Sequence, residues 1–137
     1  MNHKLLTLIS AAAVLGGWNA NAVDFEKEIL PIFKERCFDC HSKEHADPKT
    51  GKMKKPKGKF RMDSAALLMK GGEEGKNVVA GKPDESTVYT SVVLPASDDK
   101  AMPPENKGER LTKAQQDLIK AWIAEGANFG AWKGAAD

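Results

Sequence analysis

The chain has 137 residues, 41% of them hydrophobic and 29% charged, with 21 Lys+Arg against 19 Asp+Glu. This length holds one ordinary domain with a modest core, and the near balance of charge excludes the strong basic excess of a nucleic-acid binder. With only two cysteines and three histidines, few groups have chemistry to offer, and those few should stand out.

The first stretch reads as a secretory signal. Met1 to Lys4 is short and basic, Leu5 to Gly17 is apolar, and Ala20-Asn21-Ala22 fits a small-x-small cleavage site. The apolar run is too short for a comfortable membrane span, a retained N-terminal anchor being the competing reading. Residues 1–22 are therefore expected to be removed, leaving 23–137 as a single exported, periplasmic-type domain with no membrane span. Asp24 then caps a helix whose apolar residues Phe25, Ile29, Ile32 and Phe33 share one face. Pro31 is expected to kink or break it near Leu30.

That helix delivers the chain into Cys37-Phe38-Asp39-Cys40-His41, a C-x-x-C-H run. The main meaning of this run is covalent attachment of a c-type haem. Two thiols at this spacing both reach one porphyrin edge and add across its vinyl groups as thioethers, and the histidine that follows lies under the iron as proximal ligand. A thioredoxin-type site would want a strand before its C-x-x-C. A zinc site would need four ligands, and Cys37, Cys40, His41 and His45 crowd together with no second pair downstream. A buried porphyrin would form much of the core, so the haem-free chain is expected to fold poorly.

Residues 43–59 are polar and rich in lysine, with Pro48, Gly51, Pro56 and Gly58, and keep no apolar period, so they read as a loop. The segment Lys49–Lys59 is either a docking patch for the acidic surface of a redox partner or a solvated insertion. Phe60-Arg61-Met62 is extended. Asp63 or Ser64 caps a brief helix stopped by Gly71-Gly72, and Ser86 caps another from Thr87 to Leu94, ended by Pro95. Met102, followed by Pro103-Pro104, lies in a stiffened loop suited to hold a weak neutral sixth ligand to a haem iron; the bland alternative is an apolar plug, as for Met62 and Met69. The last helix starts with a Thr112/Gln115 capping box, shows Leu118, Ile119, Trp122 and Ile123 on one face, and stops at Gly126. The tail from Ala127, with Phe129 and Trp132, reads either as a packed flap or as loose chain. Arg61 and Tyr89 are within reach of a haem propionate by position.

Taken in order, Pro31-Ile32, Cys37-x-x-Cys40-His41, Phe60-Arg61-Met62-Asp63, Gly71-Gly72, Gly81-Lys82-Pro83-x-x-Ser86, Met102-Pro103-Pro104 and Trp122-Ile123-x-x-Gly126-Ala127 resemble class I c-type cytochromes, and more narrowly the planctomycete-type cytochrome c domain. The resemblance implies an all-α fold, a small cytochrome c fold whose N- and C-terminal helices cross beside one covalently bound haem c. It implies thioethers at Cys37 and Cys40 and iron ligation by His41 and Met102. The function expected is single-electron transfer between redox partner proteins. No acid, base or nucleophile constellation marks an enzyme, although the chain could serve as the electron-accepting subunit of one. The rival readings are a haem-based sensor with an open or displaceable sixth position, and a haem that acts mainly as a folding staple.

Overall fold

A computed structural model of the chain describes residues 22–136; the expected signal segment, apart from Ala22, lies outside them. Asp24 accepts a hydrogen bond from the Lys27 amide at 3.1 Å and so satisfies one of the donors that a helix start leaves unpaired. The turn Phe25–Ile29 is π-helical, and α1, Leu30–Arg36, continues from it with Pro31 in its first turn. The chain stays helical through Pro31, and its winding changes from π to α at Leu30. The Leu30 N–H bonds to the Phe25 carbonyl, and the looser turn carries the chain past a residue that has no N–H to give. Phe25, Ile29, Leu30, Ile32 and Phe33 are buried. After Cys37, one further helical turn, α2 (Phe38–His41), holds the rest of the motif.

The C-terminal helix is α5, Lys113–Ala124. Thr112 accepts from the Gln115 amide at 3.2 Å and the Gln115 side chain accepts from the Thr112 amide at 3.0 Å, a reciprocal cap. Its inner face meets the N-terminal segment through rings. Trp122 lies 5.2 Å from Phe25 and 5.9 Å from Phe33, centroid to centroid. The tail joins them, with Phe129 at 4.8 Å and Trp132 at 4.9 Å from Phe25. Burying each such ring is worth about 1.5–3 kcal/mol, and the Trp122 indole N–H is satisfied by the Asn128 carbonyl at 2.8 Å. The tail is a packed flap. It is pinned to the middle of the chain by Ala65 N–H to Lys133 O (3.0 Å) and Ala135 N–H to Asp63 O (2.6 Å). Gly134 is required there, since its φ is +78° and a Cβ would lie 2.3 Å from the Asp63 carbonyl.

Between the terminal helices run α3, Ala65–Lys70, and α4, Thr87–Val93. The first ends at Gly71, where φ is +88° and a Cβ would lie 2.1 Å from Gly75 O. Neither Ser64 nor Ser86 caps its helix through the side chain. Ser86 is wholly buried, and its hydroxyl accepts from the Val79 amide and donates to the Lys82 carbonyl, both at 2.8 Å. It ties down the loop that seats Val78 in the core.

The all-α expectation is corrected by residues 43–59. They form an antiparallel pair, β1 (His45–Ala46) with β2 (Met53–Lys54), His45 opposite Lys54 and Ala46 opposite Met53. The fold is a small mixed one, five α-helices and a two-stranded sheet among the described residues. Polar contacts build the hairpin, which is why no apolar alternation announces it. Asp47 accepts from the Lys49 and Thr50 amides at 2.9 and 2.8 Å, an Asx turn, and Gly51 takes φ +70°. Lys54 Nζ lies 2.7 Å from Asp47 and 2.8 Å from Asp39. Among the described residues no helix is long and apolar enough to cross a membrane.

Candidate functional site

A cavity of about 510 Å³ opens between α1, α2, α4 and the loop that precedes α5. That is within the roughly 300–1,000 Å³ of cofactor and ligand sites. Cys37, Cys40, His41 and Met102 all line it, so the four residues singled out in the sequence are brought together. Phe33, Phe60, Met62, Val92 and Ile119 supply much of its apolar lining.

His41 is held from both its backbone and its ring by the extended segment 60–63. Its carbonyl accepts from the Met62 amide at 2.7 Å, and its Nδ1 donates to the Phe60 carbonyl at 3.2 Å. A neutral imidazole with Nδ1–H so engaged keeps the Nε2 lone pair free to ligate. Burial pushes the imidazole below its ordinary pKa, outweighing the carbonyls of Phe60 and Lys57, so the ring is neutral at pH 7. Where the motif leaves α2, the Lys43 amide donates to Asp63 at 2.9 Å. Burial raises the Asp63 pKa, but hydrogen bonds from Arg61 and the Lys43 amide outweigh it and hold the carboxyl below the usual carboxylate value. Arg61 is thereby paired with Asp63 at 2.9 Å. Neither it nor Tyr89 lines the cavity, whereas Arg36 does.

Cys37 and Cys40 are not joined to each other in a disulfide. Burial, reinforced by the neighbouring Cys40, pushes the Cys37 thiol up to about 12. A thioredoxin-type site wants a strand before its C-x-x-C, and α1 leads into Cys37 instead. Among the described residues no group of three or more His, Cys, Asp or Glu is placed to hold a metal ion. His45 turns away from the cavity, its Nδ1 3.0 Å from the Lys43 carbonyl and its Nε2 3.9 Å from Asp39.

Met102 is half-buried against the core. Its amide donates to Ser91 O at 3.0 Å, and its peptide bond to Pro103 is cis. Two flanking residues escaped the sequence reading. Glu109 reaches across to Arg36 at 2.6 Å, and Arg110 holds the carbonyls of Met102 and Pro103. Among the described residues the buried Nε of Arg36 has no partner, an orphaned donor on a residue of the cavity wall. A lone charged residue in a polar loop carries no periodic signal, so only spatial placement reveals Glu109 and Arg110.

Two thiols on one cavity wall, a neutral histidine with a free ring nitrogen and a thioether sulfur form the donor set of a c-type haem domain, and these residues fit that group. The planctomycete cytochrome C family matches residues 37–106, a span that includes the C-x-x-C-H motif and Met102, and the chain belongs to that family. It is thus a cytochrome c-type electron carrier whose cofactor is haem c. No curated protein matched the chain, and no solved structure did.

Proposed function

We propose that the chain is an exported monohaem cytochrome that passes single electrons between partner proteins, with haem thioether-linked at Cys37 and Cys40 and iron held by His41 and Met102. The observation that carries this reading is the convergence of those four side chains on one cavity. When bound, the haem supplies a one-electron iron couple. The chain does the rest. Cys37 and Cys40 fix the cofactor's edge, His41 offers Nε2 while Phe60 O fixes its tautomer, and Met102 offers a neutral sulfur that raises the potential. Phe33, Phe60 and Ile119 keep water from the site.

Met102→Ala in the haem-loaded protein tests the ligation. The potential should fall and carbon monoxide should bind the reduced iron rapidly. An unchanged potential and ligand affinity would show that another group holds the sixth position. Fast carbon monoxide binding by the unaltered protein would favour a sensor instead.

Two further parts of the reading have their own support. Asp39 and Cys40 line both the cavity and a second hollow of about 550 Å³ walled by Lys54, Lys55, Lys57 and Lys59. A cationic surface beside the attachment site is complementary to an acidic redox partner. Neutralising Lys55, Lys57 and Lys59 should slow electron transfer and flatten its salt dependence. For export, the Val23 nitrogen lies 2.8 Å from the Glu125 carboxylate, where a free α-ammonium left by cleavage after Ala22 would gain an ion pair. N-terminal sequencing of the secreted protein should begin at Val23.

A further inference from the structure

Arg110 carries no carboxylate partner among the described residues, although it is half-buried. Its guanidinium is spent on backbone carbonyls. Nη1 donates to Met102 O at 2.7 Å and Pro103 O at 3.0 Å; Nη2 donates to Val92 O at 3.1 Å and Leu94 O at 2.5 Å. Val92 and Leu94 belong to the last turn of α4 and its cap, where helix carbonyls lack intrahelical partners and a cation is favoured. All four carbonyl-bearing residues line the cavity, and Arg110 itself does not. It grips the cavity wall from behind.

We propose that Arg110 is the positioning residue for the sixth ligand. It locks the Met102–Pro103 turn to the end of α4, so that the methionine sulfur stays at the cavity and is not lost to water or an added ligand. This rests on the reading of Met102 as an axial ligand. A thioether is a weak ligand, so its retention depends on how little its loop moves when the bond breaks. A planar fork with several fixed donors can address carbonyls from two segments at once, which a lysine point charge cannot do. Glu109, the preceding residue, pairs with Arg36 beside Cys37, so adjacent residues brace the thiol side and the methionine side of one cavity.

The experiment compares the haem-loaded wild type with Arg110→Gln, Arg110→Lys and Thr112→Ala. The last removes the side-chain cap of α5 without touching the methionine turn, and so reports what general destabilisation does. Three readouts are taken: the methionine–iron charge-transfer band, carbon monoxide association to the reduced protein, and hydrogen exchange of the Met102 amide. Arg110→Gln should weaken the band, speed carbon monoxide association by about tenfold or more, as expected when charged hydrogen bonds to the loop are lost, and speed exchange at Met102. Arg110→Lys should recover melting temperature more fully than the band. Thr112→Ala should lower melting temperature with the band and the association rate unchanged.

If the wild type shows the band and Arg110→Gln keeps the wild-type band, rate and exchange, Arg110 does not position the ligand. If Thr112→Ala reproduces the Arg110→Gln changes, the arginine's role is only structural and the proposal fails. If the wild type lacks the band and Met102→Ala changes nothing, the ligation reading itself is wrong and the proposal falls with it.

Discussion

Two regions of this small protein are built by different physics. At the junction of the chain ends, Phe25, Phe33, Trp122, Phe129 and Trp132 pack ring on ring, and Trp122 and Phe33 are essentially excluded from water. At the hairpin 45–54, the strands are two residues each, Met53 is 60% exposed, and Lys54 links Asp39 to Asp47. The first region gains stability from apolar burial, and salt should hardly affect it. The second relies on screened charges and a turn hydrogen-bonded to Asp47, and it should loosen without the rest of the fold noticing. The haem cavity borrows from both: Phe33 and Ile119 belong to the core and to its wall, while Asp39 belongs to the hairpin's ion pairs and to its wall.

The largest expected effect comes from denying the cavity its cofactor. A Cys37→Ala, Cys40→Ala chain should melt broadly, with weak cooperativity, because Phe33 and Ile119 then face an unfilled cavity. A sharp, native-like calorimetric transition would show that the aromatic junction suffices alone. Next is Trp122→Ala in the haem-loaded protein, which should cost about 3–5 kcal/mol by denaturant titration; a loss near zero would mean that the rings are not the structural centre. Asp63→Ala removes the acceptor for Lys43 and Arg61 and should cost about 1.5–3 kcal/mol. Its pH signature has a definite sign. The folded Asp63 pKa is depressed below 3.8, so its contribution is complete above that unfolded value and is lost as pH falls through the folded one. The acid limb of the stability curve should therefore be flatter in the variant, and identical limbs would rule out this linkage. The smallest effect belongs to Lys54→Ala. Amide exchange within 45–54 should quicken while the global transition barely moves, and high salt should abolish the difference. A large global loss would mean that the hairpin is integral to the core.

The contrast also explains what could be read from residues alone. Apolar spacing marked the terminal helices, because Phe25, Ile29, Ile32 and Phe33, or Ile119, Trp122 and Ile123, must share a face to be buried. The Thr112/Gln115 cap was equally plain, since its chemistry is local. The C-x-x-C-H run named three cavity residues and the Met102-Pro103 turn a fourth. The hairpin escaped because charged side chains hold it and charge has no period. Pro31 was expected to kink or break its helix near Leu30, and there a π-helical turn gives way to α-helix. Arg36, Glu109 and Arg110 act through distant partners, up to 73 residues away in the chain for Arg36 and Glu109, and no local pattern announces such pairs.

The most direct test of the central claim is a visible spectrum, oxidised and reduced, of the protein made in a host that attaches haem to C-x-x-C-H motifs, followed by denaturing extraction. The account predicts one haem per chain that resists extraction, a sharp low-spin reduced spectrum and the methionine–iron charge-transfer band. A haem that extracts freely would contradict attachment at Cys37 and Cys40, and a high-spin spectrum without that band would contradict Met102 as the sixth ligand.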